Sequence, residues 1–235
     1  MSLEQRDLFI KHIFTTVAPY VDFLSSSFSF GLDHLWRREA VLRSGILEGE
    51  RVLDVCSGTG ELAFLLSRRV GPQGSVTGTD FCEEMLDRAR QKKGQDHRNL
   101  SFILSDTKRL PFRDNTFDAV TVSFGMRNIP DTSLALREID RVLKPGGKFV
   151  CLELTRPRHR WFRYLYEWYV FKFMPLIGKL VVKTAAPYLY LPRSINSFYP
   201  PDEFKDMIHE CGFENIQVSS MTIGIATLYT AVKRG

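Results

Sequence analysis

Cysteine is scarce in this chain. Four of the 235 residues (Cys56, Cys82, Cys151 and Cys211) are spread along it without a C-x-x-C pair, which argues against a disulfide framework and against a cysteine-built metal site. Cys56 and Cys151 fall inside apolar runs and read as small buried thiols. No apolar run reaches the roughly eighteen residues that a membrane-spanning helix needs. The N-terminal stretch alternates charged with apolar positions and so lacks the core of a signal peptide. The expected location is therefore cytoplasmic. Internal repeats and low-complexity linkers are missing as well, so the chain reads as one domain with additions.

What is present is ordinary in bulk and specific in detail. A composition of 44% hydrophobic and 25% charged residues belongs to a chain that buries a sizeable core. The formal net charge of +5 favours phosphates, nucleic acid or anionic membranes as partners. Apolar runs at 52–56, 75–79, 101–104, 119–123 and 148–152 read as strands, and 61–69, 83–93 and 133–143 carry the helical period. Strands alternating with helices predict an α/β fold, a Rossmann-like and mostly parallel sheet covered on both faces. "KPGG" at 144–147 should end one helix and turn the chain into the next strand. Before this core, residues 1–45 read as a helical cap, amphipathic from 3 to 44, with Phe9, Ile13, Val17 and Tyr20 near one face. The core spans 46–155, a basic aromatic insertion 156–199, and a helix (201–211) with two strands (214–221 and 226–232) completes 200–235.

Within the core, "RVLDVCSGTGELAFLL" at 51–66 joins two apolar runs through a glycine pair. Gly58, Gly60 and Ala63 fit G-x-G-x-x-G/A, the turn by which nucleotide-binding α/β proteins leave their first strand. Dinucleotide oxidoreductases and S-adenosylmethionine (AdoMet) methyltransferases share it. Both also place an acid about twenty residues later, here Asp80, to accept from ribose hydroxyls. Three features favour AdoMet. Asp54 precedes the glycines, where a carboxylate suits an ammonium and a sulfonium better than a pyrophosphate, or else fixes the loop by accepting backbone N–H groups. Asp106 in "SDTKRLPF" would meet an adenine amino group. Ser123 opens a loop at the same end of the sheet, where ligands of open α/β sheets lie.

Together "VLDVCSGTG", "GTD", "SDTKRLPF" and "REIDRVLKPGG" resemble the class I AdoMet-dependent methyltransferases. The stretches "FGMRNIPDTSLALREIDRVLKPGGKFVCLELTRP" and "FSFGLDHLWRREAV" extend the likeness over nearly the whole chain, to the ubiquinone/menaquinone biosynthesis C-methyltransferases. That resemblance implies a seven-stranded sheet with its last strand antiparallel. It also implies AdoMet (S-adenosyl-L-methionine) as cofactor and a reduced polyprenyl quinone precursor as substrate, either demethylmenaquinol or a demethylated ubiquinol precursor. By motif it assigns Thr59, Asp80, Asp106, Thr107 and Ser123 to the cofactor, beside Asp54, Gly58 and Gly60 from the residue reading above. Two positions depart from the family: Ser25 stands where asparagine is usual, and Asp33 where histidine is usual, with His34 immediately after.

Methylating a ring carbon needs an electron-rich ring, so the substrate must arrive as the hydroquinone and lose an O–H proton. The protein then needs positioning and a base or a group that stabilises the oxyanion. Arg127 of "FGMRN", beyond the fourth strand, would stabilise the phenolate, or else pair with an acid such as Asp131. Asp22 and His34 are the candidate bases.

The remaining signal is the insertion. From 161 to 173, eight of thirteen residues are aromatic, and 156–183 carries seven Lys or Arg against Glu167 alone. This +6 exceeds the +5 of the whole chain, so the basic character is local. Aromatic and basic residues together suit a helix at an anionic membrane surface, a lid, or a homodimer contact. They also suit RNA, but no separate RNA-binding module is visible and nucleic acid is not the expected partner.

Overall fold

Apart from Arg51 and Asp54, strand β1 (Arg51–Val55) is all apolar, and it is buried from Val52 onward, the pattern of a strand with neighbours on both edges. The computed structural model describes residues 3–157, 159–173 and 186–235, and in it β1 lies at the centre of a seven-stranded sheet. Its parallel neighbours are β2 (Ser75–Asp80) and β4 (Phe117–Ser123). The order is β3-β2-β1-β4-β5-β7-β6, with β3 (Leu100–Leu104), β5 (Leu143–Leu154), β6 (Phe213–Met221) and β7 (Ala226–Lys233). Only β7 runs against its neighbours. The order reverses between β1 and β4, which opens a crevice at the carboxyl ends of these strands.

Helices cover both faces. On one, α6 (Thr132–Val142) and α9 (Pro201–Glu210) bury Leu136, Ile139, Phe204 and Ile208 against Val120, Phe149 and Tyr229. On the other, α4 (Glu61–Val70) sets Leu62, Leu66 and Val70 on Val52 and Val76. The helix α5 (Glu83–Lys92) follows β2. The N-terminal cap is three helices, α1 (Leu3–Val17), α2 (Val21–Ser29) and α3 (Leu32–Arg43). Phe30 and Gly31 break α2 from α3, both in the left-handed region at φ 53° and 76°. Two further helices, α7 (Arg160–Trp168) with a π-helical turn (Tyr169–Phe173), and α8 (Ala186–Ser197), belong to the insertion.

Three sequence expectations change. The face of α1 that packs is Ile10, Ile13 and Val17, with Ala18 beyond it, whereas Phe9 and Tyr20 stay exposed. The helix expected to end at Leu143 ends at Val142, and "KPGG" lies inside β5 rather than before it. Leu143 pairs with Phe117 and pairing resumes at Lys148 with Ala119, so the turn residues form an excursion between two paired stretches. Strand β1 stops at Val55, because Cys56 takes a left-handed φ of 52°. No helix among the described residues is long and apolar enough to cross a membrane.

Candidate active site

A cavity of about 850 Å³ opens where the strand order reverses. Its floor is the carboxyl ends of β1, β2 and β4; its roof is α1, α2, α3, α7 and α8. The half over β1 and β2 is polar and the half under α7 and α8 is apolar and aromatic.

The glycine loop builds the polar half. The Gly60 N–H closes the turn on the Ser57 carbonyl at 2.9 Å. The two glycines then differ. A side chain on Gly58 would meet open space in the cavity, whereas one on Gly60 would press 2.9 Å from Phe102. Gly58 therefore lines the site and Gly60 lets the loop pack on the sheet. Asp54, expected at the ligand, does not line the cavity either. It is buried beneath the loop, accepting from the Ser57 hydroxyl at 2.8 Å and the Thr121 hydroxyl at 2.6 Å. Its work is to fix the loop, through hydroxyls rather than the backbone N–H groups that the sequence suggested. Burial pushes its carboxyl up to about 6.

Asp80 does line the cavity, accepting from the Gly58 and Cys82 N–H groups at 2.9 Å each. Burial pushes it, too, up to about 6 against those bonds. Asp106, half exposed, accepts from the Lys108 N–H at 2.9 Å, and Thr107 is buried with its hydroxyl 3.5 Å from Cys56 Sγ. Ser123 ends β4 at the same rim. Cys56 itself faces the cavity, and burial beside Asp80 drives its thiol far above the ordinary range.

Two candidate bases come from the roof. The Asp22 carboxylate accepts from the Thr59 hydroxyl and lies 3.0 Å from Lys92 Nζ, which also holds Glu61 at 2.7 Å. Both its oxygens are engaged. His34 is half exposed, with Nε2 2.7 Å from the Ser26 hydroxyl and Nδ1 3.8 Å from Glu61. Neighbouring Asp33 is buried and paired with Arg37 at 2.7 Å. Burial alone would raise its carboxyl, but Ser29 and Arg37 outweigh that and lower it.

Arg127 lines the cavity, yet its partner is not Asp131. That residue caps α6, accepting from the Leu134 N–H at 2.9 Å. Arg127 Nη1 instead pairs with Glu153 of β5 at 2.5 Å and donates to the Phe124 carbonyl, and Glu153 also accepts from the Arg127 and Leu154 N–H groups. Among the described residues the buried Nε–H of Arg127 has no acceptor. Sequence reasoning missed Glu153 because it and Arg127 meet only through the pairing of β4 with β5. It also missed Tyr166 and Tyr190, which line the apolar half, having flagged their segment only as a whole. On α7, Phe162 and Tyr166 face the cavity, while Trp161 (67%), Tyr164 (72%) and Trp168 (57%) stay exposed. Of the basic residues in that segment, Arg158, Lys179 and Lys183 lie outside the described residues.

The donor set fits a cationic, hydroxyl-bearing ligand. The cations at the cavity wall are already matched by carboxylates: Lys108 by Asp7 at 2.6 Å, Arg37 by Asp33, Arg127 by Glu153. Among the described residues Asp80 is matched only by backbone N–H groups. A sulfonium and an ammonium suit that balance, and a pyrophosphate does not.

A model of the ubiE/COQ5 methyltransferase family matches residues 1–233. Over 225 residues the chain is 41% identical to a demethylmenaquinone methyltransferase of Staphylococcus aureus, covering 95% of this chain and 92% of that one. In fold it is similar to a SAM-dependent methyltransferase from Aquifex aeolicus (TM-score 0.64, 21% identity, covering 84% of this chain and 89% of that one). It is also similar to phosphoethanolamine N-methyltransferase 2 of Haemonchus contortus solved with S-adenosyl-L-methionine (TM-score 0.61, 18% identity, 85% and 52%).

Proposed function

The chain belongs to the ubiE/COQ5 methyltransferase family and is an AdoMet-dependent methyltransferase; from that premise we propose that it methylates a ring carbon of a reduced polyprenyl quinone precursor. Demethylmenaquinol and the corresponding benzoquinol are the two substrates in view. The observation that carries this reading is the division of one cavity into an acid-rich polar half and an aromatic apolar half. At about 850 Å³ it is toward the large end of ligand pockets, which run from about 300 to 1,000 Å³.

Bound AdoMet supplies a methyl group activated by its sulfonium. Gly58 would leave the backbone open to it, Asp80 would accept from the ribose hydroxyls, Asp106 would meet the adenine amino group, and Thr59, Thr107 and Ser123 would complete the rim. Asp54 and Gly60 shape the loop from below. On the substrate side, loss of an O–H proton pushes charge onto the ring carbon. Arg127 meets the developing phenolate. Because Glu153 already offsets its charge, Arg127 contributes N–H donors of fixed direction rather than net positive charge. His34 is the base we retain, since Asp22 is engaged by Thr59 and Lys92 and serves as the clamp between roof and loop.

The lipid tail explains the outer face of α7. Trp161, Tyr164 and Trp168 with Arg163 and Lys172 suit the interface of an anionic membrane, from which the tailed ring enters beneath the roof on the cytoplasmic side. Incubation with labelled AdoMet and each demethylquinol, held reduced, tests the reading. Label should pass into the lipid extract with one ring or both. Labelled RNA with an unlabelled lipid fraction would replace the quinol by the nucleic-acid alternative.

A further inference from the structure

Three phenols line the apolar half of the cavity from the roof: Tyr166 on α7, Tyr169 in the turn after it, and Tyr190 on α8. The Tyr169 hydroxyl donates to the Phe28 carbonyl at 3.2 Å, and the first and last matter here. They are not equivalent. The Tyr190 hydroxyl donates to Asn128 Oδ1 at 2.9 Å. The other end of that amide fixes the direction, because Asn128 Nδ2 donates to the Phe124 carbonyl at 3.3 Å. The Tyr190 proton is thus committed, and what its oxygen still offers is acceptance. Phe9 holds the ring edge-to-face with centroids 6.0 Å apart. Tyr166 has no hydrogen-bond partner among the described residues, so its O–H is available to donate.

Both stand within the field of Arg127, which draws their protons off, but burial is the larger influence on each. Tyr166 is pushed up to about 12 and Tyr190 is raised as well. At neutral pH both keep their protons. Besides Tyr169, held by the Phe28 carbonyl, and the Asn128 amide that holds Tyr190, this half presents the committed phenol of Tyr190, the O–H of Tyr166 and the Arg127 guanidinium, set among Leu154, Phe162 and Ile195.

We propose that Tyr166 and Tyr190 take the two ring oxygens of the substrate and make the cavity selective for the reduced ring over the oxidised one. The proposal rests on the quinol reading above. A hydroquinone presents O–H donors and a quinone presents only carbonyl acceptors. Tyr190, whose proton is spoken for, pairs with the ring O–H of the reduced form and faces a bare acceptor in the oxidised form. Tyr166 donates to the other ring oxygen, the one that gives up its proton as the ring carbon takes the methyl group. That bond strengthens as negative charge develops, so it favours the transition state over the bound substrate. No proton leaves either tyrosine. They are substrate-binding groups, and the base lies elsewhere.

Leaving a buried acceptor opposite an acceptor is worth roughly tenfold or more in affinity. The probe is a 1,4-naphthoquinol carrying one prenyl unit, held reduced, against its quinone, with S-adenosylhomocysteine in the cofactor half. The wild-type protein should bind the quinol at least about tenfold more tightly. Tyr190→Phe should bring the two affinities together while AdoMet affinity stays unchanged, which also reports that the variant is folded. Tyr166→Phe should keep the preference for the quinol and lower kcat about tenfold or more, with KM little altered. A Tyr190→Phe protein with wild-type preference, or a Tyr166→Phe protein with wild-type kcat, overturns the proposal. Failure of the underlying reading looks different: the wild-type protein would then bind neither ring and transfer no methyl to either.

Discussion

Asp54 and Asp80 are carboxylates whose protons burial holds to about pH 6, whereas an unfolded aspartate releases its proton near pH 4. Between those values the folded state binds the more protons, so each group makes stability fall as pH rises. The full cost, about 3 kcal/mol for each, is present above pH 6. Asparagine at 54 keeps an acceptor for Ser57 or Thr121 and loses the charge. The stability of Asp54→Asn relative to wild type should therefore rise by about 3 kcal/mol between pH 4 and 7 in urea denaturation. A difference that stays flat across that range would show that Asp54 ionises as a free aspartate does. Groups such as His97, whose proton burial weakens, cancel in the difference. At this scale the sequence was most legible where contacts are local. Gly58 to Gly60, Asp80 and Ser123 follow from a loop and the ends of its neighbouring strands. It was misleading for Asp54, because spacing places a residue on a strand but does not tell which side of the loop its carboxylate meets. It was silent on Glu153 and on the Tyr190 bond to Asn128, whose partners are far apart along the chain.

Elements meet here through a few polar ties. The turn after β4 is held to β5 by Arg127 and Glu153, both nearly or fully buried. Removing one member of such a pair leaves the other charged and desolvated. Arg127→Ala should therefore cost about 3–5 kcal/mol of stability in addition to turnover. Arg127→Met combined with Glu153→Gln should recover most of the melting temperature and none of the kcat. If the double variant turns over as wild type, Arg127 matters only as the partner of Glu153. The strands, helices and their alternation were readable from hydrophobic period alone, because each buries one face or both. What period could not supply was the break of the cap at Phe30–Gly31 or the pairing of Leu143 ahead of "KPGG". The first depends on two left-handed residues of which one is phenylalanine. The second depends on Phe117 standing opposite.

At the scale of the whole molecule, charge and aromatic surface coincide on the side where the cavity's apolar half lies. The ring of Phe30 stands 5.9 Å from that of Tyr169, and Phe30 is 78% exposed, so the α2–α3 turn and the α7 region share one apolar rim. Wild-type protein should float with vesicles containing anionic lipid. Trp161→Ser with Trp168→Ser should weaken that about tenfold or more with AdoMet affinity unchanged, since each buried aromatic contributes of the order of 1.5–3 kcal/mol. Binding indifferent to anionic lipid, with a smaller particle for the double variant, would make the face a contact between two copies.

Cys56 has a consequence of its own in such a cavity. An oxidised quinone is an electrophile that adds to thiolates, and this cysteine lies in the wall. Because burial keeps its sulfur protonated, a ring that enters in the wrong redox state meets a poor nucleophile and can leave without arylating the enzyme.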